Sequence, residues 1–455
     1  VRIRDDLRAE ALLPRLDNFF ALAAAKVRRL AERWRPEDGA PVFTVEGRYT
    51  ARGWTEWTQG FQFGAPLLLF DATGDTDLWR MGRDATLRQM APHLTHTGVH
   101  DHGFNNISTY GVLRRLALEG RAEESPDALE LYALALKVSG AVQAARWTAL
   151  EDGTGFIHSF NGPHSLFSDT IRSCRSLMVA HALGHVLMGE HDERHSLRTR
   201  CMQHIANTAR YNVYYGKGRD AYDEPGRVVH ESIFNTTDGR YRCPSTQQGY
   251  SPFSTWTRGL AWIMLGAAEQ LEALRRLPDA QDTQEMESTL REMATVTSEF
   301  YIANTTRDGI PFWDTGAPGL VHLGDWRAED SRPDNPHEPV DSSAAAIAAQ
   351  ALLRLGRLLD SRRFTQAGLT VLETLLSPPY LSEDPQHEGL VLHAVYHRPN
   401  GWDHMPPGST VPMGESCQWG DYHTLEAAVL AQRMARGGWF SFMDCANLYT
   451  AHHGA

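Results

Sequence analysis

Twelve stretches of this chain repeat apolar residues at the three- and four-residue spacing of an α-helix, and little between them alternates as a strand does. The spacing predicts helices at about 6–34, 54–72, 75–91, 104–119, 127–146, 169–189, 192–213, 255–276, 284–302, 341–359, 362–376 and 421–435. Leu129, Leu131, Ala133, Leu134 and Val138 show the pattern in one of them. Several starts are marked. Asp341-Ser342-Ser343 reads as an N-cap before the strong helix formers Ala344 to Ala346. Ser125-Pro126-Asp127 puts Pro and an acid into a first turn. Gly74-Asp75 leaves so short a connection that the helices on either side are expected to be antiparallel neighbours.

Length alone, 455 residues, suggests about three domains of roughly 150. No linker is visible, however. The expectation is an all-α fold over residues 1–455 as one domain: a single (α/α)6 barrel, a toroid of six helical hairpins. An irregular helical bundle or an open solenoid is the alternative. Three long connections, about 214–254, 303–340 and 377–420, hold many of the Gly, Pro, His and Trp residues and are expected to be active-site loops.

Charge narrows the partners. Lys plus Arg is 44 and Asp plus Glu is 56, a net −12 that argues against nucleic acid. No run of about 18 apolar residues exists, so no membrane span is expected. Five cysteines without a CxxC favour a reducing compartment. The opening Val-Arg-Ile-Arg-Asp-Asp is not a signal peptide, but the missing Met leaves room for a processed leader. A cytoplasmic or periplasmic location follows as the expectation. The 12 Trp residues are many for this length, and Trp is a stacking platform for flat ligands.

Four runs combine groups that do chemistry. Trp57-Thr58-Gln59-Gly60-Phe61-Gln62-Phe63-Gly64 places two glycines inside a helix, which requires a closely packed helix or a ligand. His100-Asp101-His102-Gly103-Phe104 ends a loop before a helix; Asp101 is a cap or a catalytic carboxylate. Asp169 opens another helix with the same ambiguity, and Arg172 and Arg175 follow one turn on. The run from Val229-His230-Glu231 through Gln247-Gln248-Gly249-Tyr250-Ser251 to Trp256-Thr257-Arg258-Gly259 supplies an imidazole, amides, aromatic planes and a guanidinium, which suits a sugar acid. His181/His185 and His191/His195 have the i, i+4 spacing of two rings on one helix face, but no Glu follows either first His as in HExxH. No metal site is expected. Walker A, GxGxxG and GxSxG motifs are also absent.

Taken together, these runs resemble the unsaturated glucuronyl hydrolases, glycoside hydrolase family 88, from about residue 54 to about 435. The resemblance is carried by Trp57-Thr58-x-Gly60-Phe61, by His100-Asp101 with Gly103-Phe104, and by Asp169 at a helix start. Gln248-Gly249-Tyr250-Ser251, Trp256-x-Arg258-Gly259-x-Ala261-Trp262, Asp341 to Ala346, and Trp419-Gly420-Asp421-Tyr422 complete it. It implies an (α/α)6 barrel that removes a 4,5-unsaturated uronic acid from the non-reducing end of lyase-generated oligosaccharides. The implied reaction is hydration of a vinyl ether. Asp169 would protonate C4 and then act as base for water adding at C5, and the hemiketal formed would open. Asp101 would be the second carboxylate. His230 and Gln248 would bond the uronate hydroxyls and help place water, and Arg258 would face the polar side of the sugar acid. Trp57 and Trp256 would be apolar walls. Phe160 stands where the family usually has a stacking Trp. No metal or organic cofactor is implied, and the partner is an oligosaccharide ending in the unsaturated uronic acid.

Two further departures are Arg172-Ser173-Cys174-Arg175 in place of an Asn- and Met-rich turn, and a longer 214–228 segment. The extra arginines are expected to pair with acids elsewhere in the chain, the alternative being sulfate or a second uronate. Other readings remain: hydrolysis of intact glucuronides by an ordinary acid/base pair, an unsaturated rhamnogalacturonyl hydrolase, or a non-catalytic carbohydrate-binding protein.

Overall fold

The structure, a computed structural model, describes residues 1–53, 56–277 and 283–446. Trp54 and Thr55, at the start of the helix expected from 54, lie outside the described residues. Twelve main helices are found among those described. They are α1 Leu13–Arg33, α2 Gln59–Thr73, α3 Thr76–Gln89, α4 (102–118), α5 Pro126–Ala145, α6 (170–182), α7 Leu197–Asn212, α8 Thr257–Leu274, α9 Thr283–Ala303, α10 Ser342–Leu358, α11 Arg362–Leu375 and α12 Gln418–Ala435. Two of them are composite. α4 joins His102–Asn106 and Val112–Leu118 through a π-helical turn, Ile107–Gly111, and α6 joins Thr170–Ser173 to Arg175–Ala182.

The even-numbered helices form a closed inner ring: α2 packs on α4, α4 on α6, α6 on α8, α8 on α10, α10 on α12, and α12 back on α2. The odd-numbered helices lie outside them. The result is the expected (α/α)6 barrel, not an open solenoid. Sequence sets the two layers apart. Every residue of α8 is buried, and in α10 burial runs from Ser342 to Gly356. Outer helices such as α1 and α11 are instead apolar on one face only, as a helix with one wet side must be.

The glycines of α2 serve the close-packing reading. A Cβ on Gly60 would lie 2.4 Å from the Asn105 carbonyl oxygen, and one on Gly64 would lie 2.5 Å from that of Ser108. α2 and α4 thus approach backbone to backbone, where no side chain fits.

Two expectations need correction. The helix expected over 169–189 ends at Ala182, and that over 192–213 begins at Leu197. Gly184, with φ +78°, breaks the first. Between them stands the hairpin β6 Leu187–Met188 and β7 Arg194–His195, so neither His181/His185 nor His191/His195 shares a helix face. Strands are also more numerous than expected, in short antiparallel pieces: β1 Pro41–Val45 with β2 Arg48–Ala51, β3 Trp147–Ala149 with β4 Gly155–Ile157, and a sheet ordered β5 Ser165–Phe167, β8 Glu231–Phe234, β9 Tyr241–Ser245. With two to five residues each, they are too short to show an alternation in sequence. Among the described residues no helix is long and apolar enough to cross a membrane.

Candidate active site

The inner helices run parallel, and their N-terminal ends gather at one rim of the barrel. Trp57 precedes α2, His100 and Asp101 precede α4, Asp169 precedes α6, and Trp256 precedes α8. All of them line one cleft. The other two inner helices reach it through a neighbour. Asp341, at the start of α10, binds Arg258, and Trp419, in the first turn of α12, stacks on Trp57 at 5.0 Å between ring centres.

Asp101 and Asp169 occupy N-cap positions, yet neither carboxylate caps its helix. The capping reading therefore fails for both. It holds for Asp341, whose Oδ1 accepts from the Ser343 and Ala344 N–H groups. The β5–β8 pairing sets the place of Asp169. Ser168 N donates to the His230 carbonyl oxygen at 2.9 Å, which fixes the chain just before the carboxylate. His100 Nε2 lies 3.1 Å from Asp169 Oδ1 and 3.8 Å from Asp101 Oδ1.

The two carboxyls share a buried site and end on opposite sides of the ordinary value. For Asp169, burial pushes upward, but the charge of His100 and its hydrogen bond prevail and hold the group below the usual range. For Asp101, burial again pushes upward, the charge of His100 opposes it without a hydrogen bond, and the charge of Asp169 adds to the rise, so the group lies above it. The two titrate as a coupled pair, Asp169 giving up its proton before Asp101.

The walls are aromatic. Trp57 meets Phe104, which packs on Trp262 at 4.9 Å, and Phe160 lies parallel to the His100 ring. Trp256 carries the Arg258 guanidinium 4.7 Å from its ring centre. Arg258 does line the cleft, but both terminal nitrogens are already committed. Nη1 donates to Asp341 Oδ2 at 3.1 Å and to the Val395 carbonyl, while Nη2 donates to Gln248 Oε1 at 2.8 Å and to the Tyr396 carbonyl. The expected direct grip on a sugar acid is therefore replaced by a brace that orients Gln248 and the 395–396 backbone.

His230 departs further from its expected role. It does not line the cleft but sits behind it, against Phe167 and Trp256. Its Nδ1 accepts from Gln247 N at 3.0 Å, and burial drives its pKa down to about 3, so the ring is neutral. It supports the turn that carries Gln247 and Gln248. The remaining expected residues, Trp57, Asp101, Phe160, Asp169, Gln248 and Trp256, all line the cleft.

Other lining residues went unassigned in the sequence: His100, Gln247, Trp262, Tyr396, His397, Asn400 and Trp402. Four of these belong to the third long connection, where Asp403 fixes the loop by accepting the Tyr396 and His397 N–H groups. The only signal was the density of aromatic and polar residues in a long loop. Arg172 and Arg175 lie below the cleft floor and pair with acids. Arg172 binds Glu269 at 3.2 Å and Glu426 at 2.7 Å, and Arg175 binds Glu269 at 3.2 Å. Among the described residues no group of three or more His, Cys, Asp or Glu is placed to hold a metal ion.

No family model matches the chain. An unsaturated glucuronyl hydrolase of Bacillus sp. (strain GL1) is 25% identical over 408 residues, which span 86% of this chain and 90% of that one. The chain is a relative of the unsaturated glucuronyl hydrolases. Their solved structures share its fold. A heparin-specific unsaturated glucuronyl hydrolase superposes with a TM-score of 0.69 at 19% identity, covering 91% of this chain and 96% of its own. A second, solved with dGlcA-Glc-Rha-Glc, gives 0.66 at 22% identity, with 94% and 97% covered. The expected resemblance and the expected barrel both stand.

Proposed function

We propose that the protein is a glycoside hydrolase that removes a 4,5-unsaturated glucuronic acid from the non-reducing end of lyase-generated oligosaccharides. The observation that carries this reading is the pair Asp101 and Asp169: two buried carboxyls in one aromatic-walled cleft, displaced in opposite directions from the ordinary value. Environments that push two carboxyls apart assign one the part of acid and the other that of base.

The chemistry asks for a proton at carbon. Asp169 donates it to C4, and positive charge develops at C5 next to the ring oxygen. Water adds there, and Asp169, now anionic, takes the water's proton. The hemiketal opens and frees the next sugar. Asp101 lies beside this path, and its charge supports the cation once its proton has moved. In the free site Asp101 holds a proton more tightly than Asp169 does. Binding reverses that order: the substrate's own carboxylate adds negative charge and the ring expels water, both of which favour a neutral Asp169.

The surroundings suit the substrate. Trp57, Phe160 and Trp256 give apolar faces for the ring, and Gln248, held by Arg258, offers its amide nitrogen to a hydroxyl. The N-terminal ends of α2, α4, α6 and α8, each equivalent to about half a positive charge, gather at the cleft and favour a bound carboxylate. Residues 1–455 act as one catalytic domain in this reading, in the cytoplasm or periplasm; the five free cysteines suit a reducing compartment.

The test is spectroscopic. An unsaturated disaccharide loses the absorbance of its double bond as it is hydrated. Wild-type protein should bleach it, and Asp169→Asn should lower the rate by about a thousandfold or more with the fold intact by circular dichroism. Cleavage of a saturated aryl glucuronide with no bleaching of the unsaturated disaccharide would sink the reading.

A further inference from the structure

A buried histidine without an assigned role stands between the two carboxylates. His100 Nε2 is 3.1 Å from Asp169 Oδ1 and 3.8 Å from Asp101 Oδ1. Its other nitrogen is occupied, because Phe160 N donates its hydrogen to Nδ1 at 3.2 Å. A backbone N–H only donates, so Nδ1 keeps its lone pair and the ring hydrogen sits on Nε2. As the neutral tautomer the ring thus donates to Asp169. Burial lowers its pKa, but the charges of Asp101 and Asp169 prevail and raise it above the ordinary imidazole value, so that it takes on positive charge more readily than a free imidazole.

Its surroundings hold it there. Gln143 Nε2 donates to the His100 carbonyl oxygen at 2.7 Å, and Ser173 Oγ donates to the same atom. Phe160 lies parallel to the ring at 6.0 Å between centres, and Phe167 meets it edge-on at 5.8 Å. A ring flip would lose both the Phe160 bond and the Asp169 bond.

We propose that His100 is a positioning residue that decides how the pair shares its one proton. By donating Nε2–H to Asp169 it keeps that carboxylate ionised in the empty site and leaves the proton on Asp101. Substrate binding, and not bulk solvent, then loads the donor. The other groups that face this cluster do not compete for the role. His230 and His204 are driven by burial to about 3 and stay neutral. Arg146 is positive but is committed to the carbonyls of Thr97, His158 and Ser159, and His96 faces Asp101 more weakly than His100 does.

The consequence for turnover rests on the proposed function, but the proton arrangement is measurable without substrate. Aspartate carboxyl carbons labelled with carbon-13 are titrated by NMR, with the Asp169 signal assigned by its loss in Asp169→Asn. His100→Phe keeps the stacked ring and removes the donor. His100→Asn keeps an acceptor for Phe160 N and falls short of Asp169, and it takes the place of His100→Phe should that variant not fold. His100→Gln restores a donor without a ring. Asp169 should titrate below Asp101 in the wild type, rise by about one pH unit or more in the Phe or Asn variant, and fall back in part in His100→Gln. The acid limb of kcat/KM against pH should move up in step. Asp169 titrating at one pH in all the proteins, or above Asp101 in the wild type, overturns the proposal. A wild type inactive on the disaccharide defeats the functional reading alone, because the NMR titration still decides the role of His100.

Discussion

Asp101 and Asp169 begin from the same physical penalty, burial, and part company through a single imidazole. That difference sets a pH dependence. The active form of the pair carries one proton, so kcat/KM should fall at low pH as Asp169 gains a proton and at high pH as Asp101 loses one. Because Asp169 is held below the ordinary carboxylate range and Asp101 above it, the plateau should be wider than two unperturbed carboxyls allow. A profile with a single limb over the pH range where the protein stays folded would contradict the shared proton. At this scale the sequence was only partly legible. Both carboxylates stood out at helix starts, but a cap and a catalyst look alike there until hydrogen bonds are seen. The place of His100 depends on Phe160 and Asp169, 60 and 69 residues away, and no local pattern encodes it. His230 was misread for a related reason. Polar neighbours in sequence suggested a sugar contact, whereas the β8 strand pairing turns its ring behind the wall.

At the scale of elements, the site depends on how closely α4 meets α6. Gly103 lies two residues after Asp101, and a Cβ there would fall 1.9 Å from the Ser173 carbonyl oxygen, which is backbone and does not yield cheaply. Gly103→Ala should therefore destabilise the protein by about 1–3 kcal/mol and also lower kcat, since it pushes apart the two helices that carry the carboxylates. Calorimetry and steady-state kinetics on the same preparation check both effects; a variant with wild-type melting temperature and kcat would refute the close-approach argument. The helices themselves were readable because each runs for many turns of a clear repeat. Short hairpins were not, and neither was the 396–402 segment of the cleft wall. Asp403 and two loop N–H groups shape that segment, and no periodicity reports on them.

Across the whole molecule, the inner ring aligns six helices in one direction. Helix N-termini gathered at the mouth favour negative charge there, which suits a sugar acid even on a chain of net charge −12. Beneath the floor residues Phe104 and Trp262 lies a buried ion cluster in which Arg354 binds Glu272 at 2.8 Å, and Phe440 closes over Arg354 and Arg115. Arg354→Met should cost about 3–5 kcal/mol by leaving Glu272 buried and unpaired, and Arg354→Met with Glu272→Leu should recover most of it. Urea denaturation measures both, and equal losses in the single and double variants would show that the pair is not the cause. The parallel ring has one more consequence. An amide-rich rim at one end obliges a carbonyl-rich rim at the other, and Arg115 and Arg433, each in the last turn of its helix, stand there beside Asp71 and Glu119. The barrel is a polarised object whose receptive mouth and cation-bearing base are two ends of one arrangement. Because the field of a helix end falls off within about a turn, residues at the base can be exchanged to harden the protein with little effect on the potential at its mouth.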